Sequence, residues 1–134
     1  MSAPTESDRL RLLLKPWVRT TNRVRFLSDV LSIAIWHGST HWSDVIDVER
    51  EPEHHLVVRA LIEDTDTEER YEASLDTIAH GLTLLRTDYR QPVVQLRKAD
   101  RMNGHEGRIT HMTADIALQH GLFEWTKYGY SPEL

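Results

Sequence analysis

The sequence predicts an α+β fold in which one helix precedes a three-stranded antiparallel meander and three more helices follow it. Two observations support this class. Apolar residues recur at spacings of three and four before residue 38 and again after residue 75, as expected for helices. Between these segments the apolar residues alternate with polar ones and are interrupted by turn residues, as in strands. Strands and helices that are segregated along the chain are typical of α+β proteins.

The first helix is predicted to begin at Asn22, where apolar residues recur at helical spacing. Gly38 is predicted to end this helix with a left-handed backbone conformation, which glycine adopts at low cost. The residues of the apolar face are Val24, Leu27, Leu31 and Ile35.

The three strands of the meander are predicted over residues 42–49, 56–63 and 70–75. The turns between them are indicated by Glu51-Pro52-Glu53 and by the run of Asp and Thr at residues 64–67. We expect one side of the sheet to carry apolar residues and the other side to face solvent.

Three further helices are predicted after the meander. Ser74 or Asp76 caps the first, Pro92 lies in the first turn of the second, and Thr110 caps the third. The last helix is predicted to end at Gly121 with a positive φ, like Gly38. We expect the three helices to pack on one face of the sheet, with an optional edge strand over residues 122–128.

The domain organisation expected from these elements is an N-terminal arm or short helix over residues 1–21, one α+β domain over residues 22–130 and a tail over residues 131–134. Large aromatic residues are expected in the core of a domain this small: Trp36, Trp42 and Phe123. Burial of the aromatic residues near the ends of the chain would need a partner or a docked tail, so they indicate an interface, and a homodimer stays open: Trp17, Trp125, Tyr128 and Tyr130.

Composition excludes several classes of protein. The chain has no cysteine, which excludes disulfides, thiolate zinc sites and cysteine nucleophiles. No apolar run approaches the ~18 residues of a membrane-spanning helix. The acidic start, with Glu6 and Asp8, is unlike the basic start of a secretory signal, so we expect a cytoplasmic protein.

Charge is distributed unevenly along the chain. The formal net charge is −5, yet residues 44–76 hold twelve acidic and three basic side chains, a net charge of −9. This concentration predicts an acidic surface on the meander that would oppose binding to nucleic acid. The alternative explanation is a solvated sheet face that only keeps the protein soluble. We name the following set the acidic surface: Asp44, Asp47, Glu49, Glu63, Glu68, Glu69 and Glu72.

Three stretches of the sequence carry a family resemblance. They are Gly38-Ser39-Thr40-His41-Trp42, then residues 75–82 with Thr77-Ile78 and Gly81-Leu82, then Asp115, Gln119, Gly121-Leu122-Phe123 and Tyr128-Gly129. Over residues 26–129 this pattern resembles an uncharacterised family of small proteins of actinobacterial phages and their hosts. This chain has His41 where the family usually has Tyr. The resemblance implies a phage or mobile-element setting and no established chemistry.

Catalytic and metal-binding arrangements are weak in this sequence. His37 and His41 have the spacing that places two imidazoles on one helix face, but Gly38 between them is expected to end the helix. Ser39, His41 and Asp44 contain the residue types of a hydrolase triad, without the Gly-x-Ser-x-Gly turn. We therefore expect no catalytic residue, no bound metal and no cofactor.

A basic segment offers an alternative. Arg97 and Arg101 are one helical turn apart, and Arg90 lies two turns before Arg97, so they could contact phosphates. The ordinary explanation is the solvated side of an amphipathic helix. The residues of this alternative contact are Arg90, Arg97, Lys98 and Arg101.

Three functional hypotheses follow. The first is a non-enzymatic accessory protein that binds a host macromolecule, such as a basic defence or regulatory protein, through the acidic surface. The second is a small DNA-binding regulator that uses the basic segment. The third is a histidine-dependent metal enzyme.

Overall fold

The computed structural model describes residues 21–104 and 108–129 of the chain. Its helices are α1 (Thr21–Ile33), α2 (Leu75–Leu84), α3 (Gln91–Arg101) and α4 (His111–Phe123). Its strands are β1 (Ser43–Arg50), β2 (Val57–Asp64) and β3 (Arg70–Ser74). The predicted α+β class is confirmed. The short helix expected within the N-terminal arm, Trp17, Tyr130 and the predicted tail lie outside the described residues.

The three strands form one antiparallel sheet in the order β1-β2-β3. Val45 pairs with Ile62, which pairs with Tyr71 in turn, and this row lies on the inner face beneath the helices. The next row, Asp44, Glu63 and Arg70, lies on the outer face because successive residues of a strand point to opposite sides. A bulge between Val45 and Asp47 leaves Ile46 exposed.

The core lies between the inner face of the sheet and helices α1, α2 and α4, whereas α3 packs against α4. Trp42 is only 3% exposed, which confirms its predicted place in the core, and Phe123 is partly buried against the same core. Large side chains fill the interior at less than 2% exposure: Phe26, Leu27, Leu31, Ile35, Ile62, Ile78 and Leu118.

Trp36 departs from the prediction, since it is 43% exposed. The reason is that α1 continues as a π-helical turn, Ala34–Gly38, in which Ala34, Ile35 and Gly38 are buried. In this wider turn the Trp36 side chain faces away from the core. The helical spacing of the apolar residues alone did not indicate this turn.

The predicted positive φ of the two glycines was wrong. The first helical segment does end at Gly38, but Gly38 has no positive φ, and Gly121 lies inside α4, which ends at Phe123. Both positions require glycine because other backbone lies close: a Cβ would meet the His111 carbonyl oxygen at 2.3 Å from Gly38, and the Thr77 carbonyl oxygen at 2.0 Å from Gly121. The left-handed residue that ends α4 is Glu124, at φ 67.

The predicted N-terminal caps are present at two helices. The Ser74 side chain accepts a hydrogen bond from the Thr77 N–H, and the Thr77 hydroxyl accepts one from the Ser74 N–H. Thr110 and Thr113 make the same reciprocal pair at the start of α4. These caps fix where α2 leaves the sheet and where α4 begins.

The C-terminal residues 124–129 form no strand, in contrast to the optional edge strand. Tyr128 instead docks on the core, with its ring stacked on Trp42 at a centroid distance of 4.7 Å. Within the two described ranges, no helix combines the length and apolar character that crossing a bilayer requires.

Candidate functional site

The outer face of the sheet carries most of the acidic surface. One cross-strand row contains Asp44 and Glu63, the next contains Asp47 and Glu72 on either side of Leu61, and the third contains Glu49 beside Arg59. The alternation predicted from the sequence places these carboxylates on one side of the sheet, because the residues that alternate with them along each strand are mainly apolar and face the core. No helix in the described part of the chain covers this face.

Two arginines on the same face bind three of the carboxylates. Arg59 contacts Glu49 at 2.8 Å and Glu72 at 2.6 Å. Arg70 contacts Glu63 at 3.1 Å. Because these pairs are exposed, each contributes at most about 1 kcal/mol to stability, and their main effect is to order the side chains. Five carboxylates against two guanidinium groups leave the face with a net negative charge.

The centre of the outer face is a shallow depression of about 230 Å³. Leu61 contributes apolar surface to it, and exposed Ile46 lies next to Asp47. Its charged lining residues are Asp47, Glu49, Arg59 and Glu72. An apolar centre with a rim of carboxylates is suited to a long basic side chain, whose methylene groups and charged end need both kinds of surface.

Glu68 and Glu69, the remaining members of the acidic surface, lie in the turn between β2 and β3. Glu68 is exposed in a left-handed conformation with φ 62. Glu69 accepts a 2.6 Å hydrogen bond from the Tyr71 hydroxyl, which raises the pKa of Tyr71 to about 12. Glu69 is therefore tied to the inner-face aromatic residues, and the outer face is formed by the other five carboxylates.

The basic segment does not form one stripe. Arg90 is bound by the carboxylate of Asp88 at 2.6 Å, and this pair holds the pKa of Asp88 below its usual range. Arg97 donates a 2.9 Å hydrogen bond to the Asp88 carbonyl oxygen and lies over the ring of Tyr89. Arg97 and Arg101 line a cleft that Arg90 and Lys98 do not line.

The fold separates the three residues of the candidate hydrolase triad. Ser39 is buried and its hydroxyl accepts a 2.8 Å hydrogen bond from the Ser43 hydroxyl. His41 lies beside Asp115, with 3.8 Å between Nε2 and the carboxylate, whereas Asp44 is exposed on the outer face. Ser39, His41 and Asp44 therefore do not assemble as a catalytic unit.

His37 and His41 also make different contacts. The His37 ring stacks on the His111 ring with centroids 4.8 Å apart, while His41 Nδ1 lies 3.0 Å from the Gly38 carbonyl oxygen. Among the described residues, three potential metal ligands do meet at Glu51, Glu53 and His54. The Glu51 carboxylate is already used there as a turn cap for two backbone N–H groups.

A buried polar network was not predicted from the sequence. Asp115, which is 0% exposed, accepts hydrogen bonds from Trp42 Nε1 at 2.9 Å and from Gln119 Nε2 at 2.7 Å. The Tyr128 hydroxyl donates to the buried carboxylate of Asp64. No local spacing could have located this network, because Trp42 and Asp115 lie 73 positions apart in the sequence.

The electrostatics of Asp64 follow from this network. Burial acts to raise the pKa of Asp64, but hydrogen bonds from Tyr128 and from the N–H groups of Thr67 and Asp66 outweigh it. The pKa of Asp64 is therefore below its ordinary value, and Asp64 is a buried anion that holds the β2–β3 turn and the C-terminal segment together.

The described residues thus include an acidic outer face, a cleft lined by arginines and a buried polar network. Comparisons with known protein families, with curated proteins and with solved structures find no match to this chain.

Proposed function

We propose that this protein acts by binding another protein, one with a basic surface, through the outer face of its sheet, and that it is not an enzyme. The observation that carries the proposal is the open outer face itself, which carries five carboxylates, three of them lining a shallow depression beside Leu61. Such a face attracts a basic partner over a distance and holds one of its long side chains on contact.

The arrangement of the charges supports binding. Arg59 holds Glu49 and Glu72 in fixed positions beside Leu61, so the rim of the depression is ordered before a partner arrives. Asp44 and Asp47 lie on β1, which is an edge strand, and no ion pair within the described residues includes either of them. A guanidinium group of a partner would find these two carboxylates available.

The biological setting in this proposal comes from the family resemblance. A phage or mobile-element accessory protein meets host defence and regulatory proteins, and those that handle nucleic acid have basic surfaces. Spaced carboxylates on a rigid sheet can occupy the positions of phosphates on such a surface. We therefore propose a nucleic-acid-handling host protein as the partner.

The test compares two charge-reversal variants. The first, Asp44→Lys, Asp47→Lys and Glu72→Lys together, changes the outer face. The matched control, Asp29→Lys, Glu53→Lys and Glu124→Lys together, changes three exposed acidic residues elsewhere. Each variant shifts the formal net charge from −5 to +1, because each substitution adds two units.

Each protein is immobilised and exposed to an actinobacterial host lysate at low and at high salt, with circular dichroism to confirm folding. The proposal expects the wild type and the control to retain the same partner at low salt and the outer-face variant to lose it. Equal retention by both variants, or no salt-sensitive partner of the wild type, would contradict it.

A further inference from the structure

A second concave feature lies among the helices, where the start of α1, the turn after α2 and the end of α3 meet. It is a cleft of about 510 Å³, within the size range of small-ligand sites. Four guanidinium groups and one carboxylate line it, a local excess of positive charge in a protein of net charge −5. The lining residues are Arg23, Arg86, Arg97, Asp100, Arg101 and Asn103.

One wall of the cleft is neutral and rigid. Arg23 contacts the Asp100 carboxylate at 2.6 Å and donates hydrogen bonds to the Asp100 carbonyl oxygen and to Asn103 Oδ1. The side chains of Arg23 and Asp100 are only 14% and 10% exposed, so this pair is part of the framework. The single carboxylate of the cleft is therefore already compensated.

The other three arginines retain their charge. Arg97 is held by a carbonyl oxygen, that of Asp88, and by the ring of Tyr89 at 5.1 Å, so it is positioned without being neutralised. Arg86 and Arg101 are exposed, and neither has an ion pair with any carboxylate of the described residues. Three guanidinium groups thus converge on one depression without anionic partners.

We infer that this cleft binds the phosphate groups of a small phosphorylated ligand. Guanidinium groups donate paired hydrogen bonds that match phosphate oxygens, and three of them from different elements can surround one diphosphate. Tyr89, which is 76% exposed with Arg97 over its ring, offers an aromatic surface beside Arg97 for a base. The concave shape favours a small ligand over a duplex, since Arg90 and Lys98 do not extend the charge into a stripe.

The test measures binding by isothermal titration calorimetry at constant ionic strength, with pyrophosphate and with adenosine diphosphate as separate probes. Arg86→Gln and Arg101→Gln remove exposed arginines of the cleft. Lys98→Gln is the matched control, because it removes the same charge from an exposed position of α3 outside the cleft. Circular dichroism confirms that each variant is folded.

Binding of one molecule per chain is expected, and each arginine variant should weaken it about tenfold, as for the loss of a charge-assisted hydrogen bond. Lys98→Gln should change the affinity less than about twofold, because the charge is screened by solvent. Tighter binding of adenosine diphosphate than of pyrophosphate identifies a nucleotide as the ligand. Tighter binding of pyrophosphate than of adenosine diphosphate identifies a ligand that is recognised through its phosphates alone.

Three results would overturn the inference. One is the absence of any binding of either probe to the wild type. Another is a loss in Lys98→Gln as large as in Arg101→Gln. The last is tighter binding of a short DNA duplex than of either probe, which would assign the arginines to a nucleic-acid surface.

Discussion

Trp42 Nε1 donates a 2.9 Å hydrogen bond to Asp115 Oδ1, between residues that are 73 positions apart in the chain. The other oxygen of Asp115 accepts a hydrogen bond from Gln119, whose amide in turn binds both the N–H and the carbonyl of Tyr128. This series of contacts connects the start of β1, helix α4 and the C-terminal segment. Trp42 also packs against Tyr71 of β3, so these contacts reach the inner face of the sheet.

Asp115→Ala should lower the free energy of unfolding by at least about 2 kcal/mol, because it leaves the buried Trp42 N–H without an acceptor and removes one partner of Gln119. Asp115→Asn should cost less, since one acceptor oxygen remains. The measurement is urea unfolding of both variants and the wild type. An Asp115→Ala protein as stable as the wild type would show that the network does not stabilise the fold.

Trp42→Ala should lower the free energy of unfolding by ~3–5 kcal/mol, the usual cost of truncating a buried aromatic residue. Trp42 packs on Tyr71, Phe123 and Tyr128, so the loss affects several contacts at once. Trp36→Ala is the matched control and should cost less, because Trp36 is 43% exposed and has a smaller buried fraction than Trp42. Thermal unfolding compares the two, and equal losses would place both residues in the core.

Gly121→Ala should destabilise the protein by ~1–3 kcal/mol, because the new methyl group would overlap the Thr77 carbonyl oxygen. Gly121→Asn should be worse still, since its side chain is larger. Gly129→Ala is the control, with no heavy atom within 4 Å of a Cβ there. If positive φ were the reason for glycine at position 121, Asn would be tolerated better than Ala.

Stability should fall as pH falls because of Asp64. Its pKa is lower in the folded protein than in the unfolded chain, so its contribution is complete above the ordinary value of about 4. The contribution is lost as pH decreases through the folded pKa. Urea unfolding between neutral and strongly acidic pH measures this dependence, and Asp64→Asn should flatten it. Asp44→Asn, at an exposed position, is the control, and an identical slope in Asp64→Asn and the wild type would contradict the prediction.

The features that were predicted correctly from the sequence are those that depend on local patterns of residues. Alternation located β2 to within one residue at each end, and the Ser74 and Thr110 caps located the starts of α2 and α4. The same alternation indicated that Asp44 and Glu63 share the outer face, because period-two spacing assigns every strand residue to a side.

The remaining features depend on contacts between distant segments. Gly38 is read locally as a helix cap, although the fold uses it for a close approach to His111 on α4. The arginine cleft joins Arg23 and Arg86 to Arg97, and no spacing within one helix indicates such a set. Trp36 was misplaced because a π-helical turn shifts the register that a regular helix would keep.

In the proposed interaction, the carboxylates of the outer face act together in binding a partner. The most direct measurement is the affinity of a partner purified from the lysate for the wild type and for graded variants, at fixed low ionic strength. The series begins with Asp44→Lys, adds Asp47→Lys, and ends with Glu63→Lys and Glu72→Lys added together, which takes the formal net charge from −5 to +3.

We expect the single change to weaken binding slightly, the double change to weaken it further, and the fourfold change to abolish it while the circular dichroism spectrum stays unchanged. An affinity that is unaltered in the fourfold variant would contradict the proposal. A single substitution that abolishes binding in a folded protein would also contradict the proposal, because such a result would indicate one discrete site.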